Sequence, residues 1–545
     1  MTVPALSVLL KRLGQRVKFR ARPASPRPLR ILAACLLPAT LAALLASAPA
    51  RAVQYQIVYV PVTILVNGKP VVIRRPVVRP VPPPVAAPMI TTQPGNASVS
   101  VGQAATFSVA VSGTAPFSYQ WRRNGVNIAD ATAASYTTPP VGLADSGALY
   151  SVVVSNNVGD VTSADATLSV TPSTVTPALT RTVVRSGLSS PWDLAFLPDG
   201  SMLFTEKCRG LSILRNGTIT RLFGTSGSSL VAGDLFCQGQ SGMHGVAVDP
   251  DFGNGNRYIY VYMASNASTN PRTNRVVRLT LSTDLLTASG RVDIITDVAY
   301  KDVANSWGGA GSHSGGRLRF GPDGYLYVTT GDNHNGTLPQ DLTRMGGKVL
   351  RVTVTGSAAP GNNSPGDPRI YTYGHRNVQG ISFRPGSGQA FTSEHGPGHS
   401  DEVTPLMAGG NGGWDPKPEP GVSCADNYCG YISNKLNGTP TPMTDTGKFP
   451  TAMRPSWNNN GRSQGTGPST FLNGPQWKAW DGRLAVGVMG DMRLDILQLD
   501  AAGMMLSQST ASGLPAQRMR SLVQGPDGSL YVATDSGEIW RVTPN

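Results

Sequence analysis

Downstream of residue 87, apolar and polar positions alternate with a period of two in short runs. ATFSVAVSG (105–113) and LYSVVVSN (149–156) are two such runs. That period places alternate side chains on opposite faces of a strand. From 180 to 545 a second pattern recurs, in which an apolar strand enters a turn, most often Pro-Asp-Gly, and another strand leaves. FLPDGSMLFTE (196–206), VDPDFGNGNRYIYVYM (248–263), FGPDGYLYVTTGD (320–332), FRPGSGQAFTSE (383–394) and QGPDGSLYVATDSG (524–537) are variants of it. Proline sets φ for the turn, aspartate caps it and glycine takes the positive φ. Adjacent copies lie about 52 to 72 residues apart, the scale of propeller repeats. A sixth unit without this turn fits DGRLAVGVMGDMRLDILQLD (481–500). Six units of roughly 61 residues leave room for four strands each. The pattern predicts an all-β chain whose residues 180–545 form a six-bladed β-propeller, the alternative being a β-sandwich array. A propeller would gather loops from every blade at one channel mouth, where a ligand site belongs.

Residues 87–172 predict a single sandwich. Trp121 follows the first alternating run, and Asp145, Gly147 and Tyr150 lead into the second. The segment resembles the bacterial immunoglobulin-like family. That resemblance implies an immunoglobulin-like β-sandwich with Trp121 as core tryptophan and Tyr150 as corner tyrosine. Val109 and Val152 stand where many members carry the bridging cysteines, so an apolar core alone must hold the domain. Ahead of it, residues 53–86 carry RRPVVRPVPPPV (74–85). Proline at this density predicts an extended polyproline spacer outside any sheet.

Composition changes the picture at the N-terminus. The net charge is +14, but residues 1–86 hold thirteen Lys and Arg and no acid. The remainder is nearly neutral and has no basic stripe interleaved with aromatics, which argues against nucleic acid as a partner. Residues 1–52 predict a signal peptide: a basic stretch to Arg30, an apolar run from Ile31 to Ala46, and Ala50-Arg51-Ala52 as cleavage site. The run is short for a span and broken by Pro38, against a retained membrane anchor. Cys35 opens the run rather than closing it, against lipidation. Export places the mature protein in the periplasm or outside the cell, with no stable membrane insertion. Four further cysteines then suggest disulfides, with Cys208–Cys237 and Cys424–Cys429 as the pairs. Their spacing does not fit zinc.

Four segments carry candidate chemistry. In GSHSGGRLRFGPDG (311–324), His313 sits on a loop before a strand and is a candidate general base, or else a surface histidine. Gly315 and Gly316 permit close backbone approach. In YGHRNVQGISF (373–383), Arg376 offers a planar donor fork and Asn377 an amide, unless the arginine merely staples loops. In SEHGPGHSDEV (393–403), a Gly-Pro turn followed by Asp401 and Glu402 forms an oxygen-rich loop for a hard cation, or a solvated acidic turn. In QRMRSLVQGPDG (517–528), Arg518 and Arg520 point to one face and need an anion between them unless solvent separates them.

These pieces, with PWDLAFLPDG and QSGMHGVAVDPDF in the same order, closely resemble the soluble quinoprotein glucose/sorbosone dehydrogenase family over residues 180–545. The resemblance implies pyrroloquinoline quinone (PQQ), a tricarboxylate ortho-quinone, and Ca2+ at the propeller mouth. It implies oxidation of an aldose or sorbosone-like sugar, with hydride passing to the quinone and electrons to an external acceptor. His313 would take the sugar hydroxyl proton, and Arg376 and Asn377 would stabilise the developing oxyanion. Gly396 and Pro397 carbonyls would hold Ca2+, and Arg518 and Arg520 would pair with the cofactor. Gln240 would face substrate, Asp401 substrate or the calcium shell, and Glu402 a structural calcium. Two positions depart from the family pattern. His395 replaces a frequent glutamine, and 486–494 holds no lysine where the family's cofactor lysine falls, Gly490 or Asp491 standing there. Another basic residue must substitute, or the cofactor is held weakly or not at all. The competing functions are a non-catalytic extracellular propeller that binds carbohydrate or protein, and a calcium-dependent lactone hydrolase.

Overall fold

A computed structural model describes residues 55–66, 69–81, 85–302 and 308–545. The predicted signal peptide, with Cys35, lies outside the described residues. The chain divides into two compact units, 1–84 and 85–545.

In the first unit, Tyr55–Val66 pairs antiparallel with Lys69–Pro80. This corrects the polyproline expectation for residues 69–80, which form a strand, while Pro82, Pro83 and Pro84 lie outside the described residues. The register shows why they can. Pro61 faces Arg74, while Pro70, Pro76 and Pro80 face Leu65, Tyr59 and Tyr55. All four prolines therefore fall in the same alternate set of cross-strand pairs. In a two-stranded ribbon, the set whose N–H groups point away from the partner loses no ladder hydrogen bond to proline.

The second unit is all-β, with short 3-10 turns and, among the described residues, no helix long and apolar enough to cross a membrane. Its first part is the expected sandwich. Ala97–Ser100, Ala166–Thr171, Leu149–Ser155, Ser118–Arg123 and Val126–Asn127 form one sheet, and Met89–Thr92 with Ala110–Ser112 and Thr106–Ser108 with Ser135–Thr137 form smaller ladders. The fully buried Trp121 sits in a core with Phe107, Val109, Tyr150, Val152 and Leu168. Phe107 and Tyr150 stack at 4.4 Å.

From Leu179 to Pro544 the described residues form six sheets of four or five strands. The first strands of the sheets are Pro191–Phe196, Met243–Val248, Leu318–Phe320, Val378–Phe383, Thr466–Phe471 and Met519–Gln524. Each packs against the first strand of the next sheet, and the last packs against the first, so the cycle closes. Leu179–Arg185, from the start of this part, pairs with Ile539–Pro544 at its end and completes the sixth sheet. Five of the sheets meet in a buried ionic hub on Asp193. Its carboxylate accepts from Arg319 (2.8 and 2.9 Å), Val246 N (3.1 Å) and Ser521 Oγ (2.7 Å), and it pairs with Arg317 at 2.5 Å. Arg317 in turn donates to Gln379 O and Arg520 O. Burial opposes charge on Asp193, yet Arg317 and Arg319 hold its carboxyl below the usual range.

Both expected disulfides form, Cys208–Cys237 and Cys424–Cys429, each with Cα atoms 5.4 Å apart.

Candidate active site

The strand ends of the cycle open on a cavity of about 650 Å3. Seven of the ten residues singled out from sequence line it: Gln240, His313, Arg376, Asn377, Gly396, Arg518 and Arg520. They come from segments up to 280 residues apart, brought together because they lie at the inner strand ends of four of the six sheets.

His313 has a left-handed backbone (φ 52°) and is 7% exposed. Its loop packs as tightly as the glycines suggested. A Cβ on Gly315 would stand 2.6 Å from Thr330 Cα, and one on Gly316 2.8 Å from His244 Nδ1. His313 Nδ1 lies 2.7 Å from Asp332 Oδ1. The buried Asp332 also accepts from His334 N (2.9 Å) and Trp414 Nε1 (2.8 Å). With Nδ1–H given to Asp332, the lone pair of His313 is on Nε2. That atom meets His334 Nε2 at 2.9 Å and lies 3.5 Å from Tyr431 Oη. Burial first, then Arg376, His395 and Lys301, press the imidazole well below its ordinary pKa, so it is neutral at neutral pH.

Arg376 is almost fully buried. Its main-chain N–H and that of Asn377 both donate to Glu394 Oε1, and its Nη1 donates to His395 O at 2.8 Å. Its guanidinium lies over Tyr431, 5.2 Å from the ring centre, and its Nε is buried with no acceptor in the protein. Asn377 Oδ1 accepts from Gly315 N (3.3 Å) and Gln379 Nε2 (3.0 Å). The anion that Arg518 and Arg520 require is Asp535. Arg518 Nε and Arg520 Nη2 each stand 2.9 Å from its Oδ2.

Three expected residues lie elsewhere. Pro397 does not line the cavity, although Gly396 and Gly398 do. Asp401 is completely buried and saturated by its own chain, accepting from Gly396 N, Ser463 Oγ, Gln464 N and both the N–H and hydroxyl of Thr466. It holds the Gly-Pro turn in place. Glu402 borders a separate cavity of about 210 Å3, accepting from Thr444 Oγ1 (2.9 Å) and Asn458 Nδ2 (3.0 Å). Burial, with nearby Glu394 adding repulsion, pushes its carboxyl up to about 8.

Sequence reasoning assigned no role to Lys207, Trp192, His244, His395, Tyr431, Met489 and Asp535, all of which line the cavity. His244 stacks on Trp192 at 4.7 Å, and its Nδ1 is buried without a partner. Of these, Trp192 lies in PWDLAFLPDG, His244 in QSGMHG, and His395 and Met489 in stretches already noted, while Lys207 adjoins Cys208; Tyr431 and Asp535 carried no signal.

The residues fit a flat polyanion. Lining cations Lys207, Arg376, Arg518 and Arg520 face a single lining carboxylate, Asp535, and aromatic and sulfur side chains offer apolar contact. The fit to a cation is partial. The carbonyls of Gly396 and Pro397 accept no hydrogen bond among the described residues. No group of three or more His, Cys, Asp or Glu there is placed to hold a metal ion. Any cation at this turn would need its shell completed by a ligand and water.

The family profile described as glucose/sorbosone dehydrogenase matches residues 188–541, about two thirds of the chain. The chain belongs to the glucose/sorbosone dehydrogenase family. An immunoglobulin I-set profile matches residues 88–170. Among relatives of the family part, the aldose sugar dehydrogenase YliI of Escherichia coli is 30% identical over 377 residues, covering 66% of this chain and 92% of that one. The quinoprotein glucose dehydrogenase B of Acinetobacter calcoaceticus is 32% identical over 266 residues, 43% of this chain and 51% of that one. The PQQ-bound form of an aldose sugar dehydrogenase from Streptomyces coelicolor superposes with a TM-score of 0.51 at 25% identity, over 68% of this chain and all of that one. The soluble aldose sugar dehydrogenase of Escherichia coli, in its apo form, gives 0.54 at 25% identity over the same shares.

Proposed function

We propose that this family member is an exported quinoprotein oxidoreductase, a six-bladed propeller that oxidises an aldose or sorbosone-like sugar with PQQ and Ca2+ and passes the electrons to an external acceptor. The single observation carrying the reading is the convergence of a neutral, carboxylate-oriented imidazole and several guanidinium groups on one cavity. The closed cycle of six sheets supports the propeller assignment. Two disulfides and the apolar leader support the periplasm or the exterior as its location.

When bound, the quinone supplies the hydride acceptor and the cation polarises it. Arg518, Arg520, Arg376 and Asn377 would hold the quinone, and the carbonyls of Gly396 and Pro397 the cation, with Asp401 fixing their turn. His313 Nε2 would take the proton of the sugar hydroxyl while Asp332 fixes the tautomer through Nδ1. The donor fork of Arg376 would stabilise negative charge as it develops. Gln240 would contact the sugar. Glu402, in its separate cavity, would hold a structural calcium once deprotonated.

Purified protein supplied with Ca2+, PQQ, aldoses and a redox dye tests this. Dye reduction should occur, and His313→Ala should lower it at least about 100-fold. Absence of quinone binding at micromolar concentration would leave a non-catalytic carbohydrate- or protein-binding propeller. Turnover of lactones without quinone or dye would make it a hydrolase.

A further inference from the structure

We propose that Lys207 is an anion clamp of the cavity, an ammonium set to pair with a carboxylate of the bound polyanion. The inference rests on the quinoprotein reading and concerns which residue of this chain completes the site.

The charge of the lining is the first reason. Arg518 and Arg520 share Asp535, so that trio carries one net positive charge. Arg376 donates to His395 O and lies over the Tyr431 ring, and Lys207 donates to Gly239 O, all neutral partners. Among the described residues neither forms an ion pair with a carboxylate, and the lining has a formal excess of three positive charges. A tricarboxylate matches that excess. Two uncompensated cations facing one cavity repel each other unless an anion lies between them.

The second reason is rigidity. Lys207 N donates to Ser190 O (3.1 Å), and Lys207 O accepts from Met243 N (2.8 Å). The next residue, Cys208, is bonded to Cys237. Nζ donates to Gly239 O at 2.8 Å. A lysine free to sweep through solvent would not need its backbone tied to three segments. These ties fix where the side chain begins, and the Nζ bond to Gly239 O holds the ammonium at the cavity before a ligand arrives, which lowers the entropy cost of pairing. By contrast, the 486–494 segment reaches the cavity through Met489, whose sulfur accepts weakly from Arg520 Nη1 and adds no charge.

The test is equilibrium binding of PQQ to the full-length protein with Ca2+, followed by tryptophan fluorescence, with Lys207→Gln and Lys207→Arg alongside wild type. Loss of one charge-assisted hydrogen bond should weaken binding about 10- to 100-fold in Lys207→Gln. It should also make the affinity less sensitive to added salt, while Lys207→Arg stays within about threefold of wild type. Benzene-1,3,5-tricarboxylate, which has the charge but no quinone, should compete in wild type and lose affinity in parallel. Unchanged melting temperatures would establish that the variants fold. Equal quinone affinity in wild type and Lys207→Gln overturns the clamp and leaves the quinoprotein reading intact. If wild type binds no quinone but Lys207→Gln loses the tricarboxylate, the clamp stands and the quinone reading falls.

Discussion

At the scale of single residues, burial decides which chemistry each group can do. His313 is neutral because the cavity withholds water and surrounds it with positive charge. A base needs its neutral form, and the neutral form of a group with a lowered pKa persists to lower pH. The value of kcat/KM should therefore stay level as pH falls through 6.5, with its acid limb well below. A profile that bends at 6.5 would show a solvated base. His334 occupies the lone pair of His313 in the resting geometry. His334→Gln should shift that acid limb while leaving the melting temperature within a few degrees. Glu402 behaves oppositely to most carboxylates. Its folded pKa of about 8 lies above the ordinary 4.5, so between those values the folded protein binds the extra proton. Without a cation, stability contributed by this group is present below pH 4.5 and is lost as pH rises towards 8. Glu402→Gln should flatten that slope in urea titrations performed across the interval with a chelator present.

At the scale of elements, the loops that carry the chemistry are held from outside the strands. The Cys208–Cys237 bridge closes a loop of 29 residues and joins the Lys207 strand end to the segment bearing Gln240. Replacing both cysteines by alanine should cost about 3–4 kcal/mol, read as a lower melting temperature and reproduced in wild type by reductant. The strand that Arg518 precedes and Arg520 lies in was legible from its alternation, and both arginines reach one carboxylate. That counter-ion was not legible. Asp535 lies on the turn after the neighbouring strand, where the TDSG sequence reads simply as turn residues. The proline-rich ribbon shows the limit of composition. Proline count argued against a sheet, whereas what matters is which cross-strand pairs the prolines occupy.

At the scale of the whole molecule, Asp193 joins sheets that follow one another over most of the family part. Removing its carboxylate leaves Arg317, 2% exposed, as a buried cation without its counter-ion. Asp193→Ala should lower stability by about 3–5 kcal/mol and weaken the site as well, since Arg317 also supports Arg520 O. The immunoglobulin-like part is docked against the fifth sheet's region. Leu143 N donates to Asp481 Oδ2 at 2.7 Å, and the same side chain accepts from Gly474 N at 2.8 Å. Asp481→Ala should loosen the domain. Calorimetry would then resolve two unfolding transitions where wild type shows one.

The sequence by itself determined the strand periodicity, the recurrent turn, the sandwich core around Trp121 and most of the cavity's charged residues, because each is encoded over a few neighbouring positions. Only the tertiary structure decided that Asp401 is consumed by Gly396 and the distant 463–466 segment, that Glu402 faces another cavity, and that Lys207, His334 and Asp535 belong to the site. Those facts depend on which distant loops meet, and a hydrogen bond between residues dozens of positions apart leaves no mark on the local pattern of either.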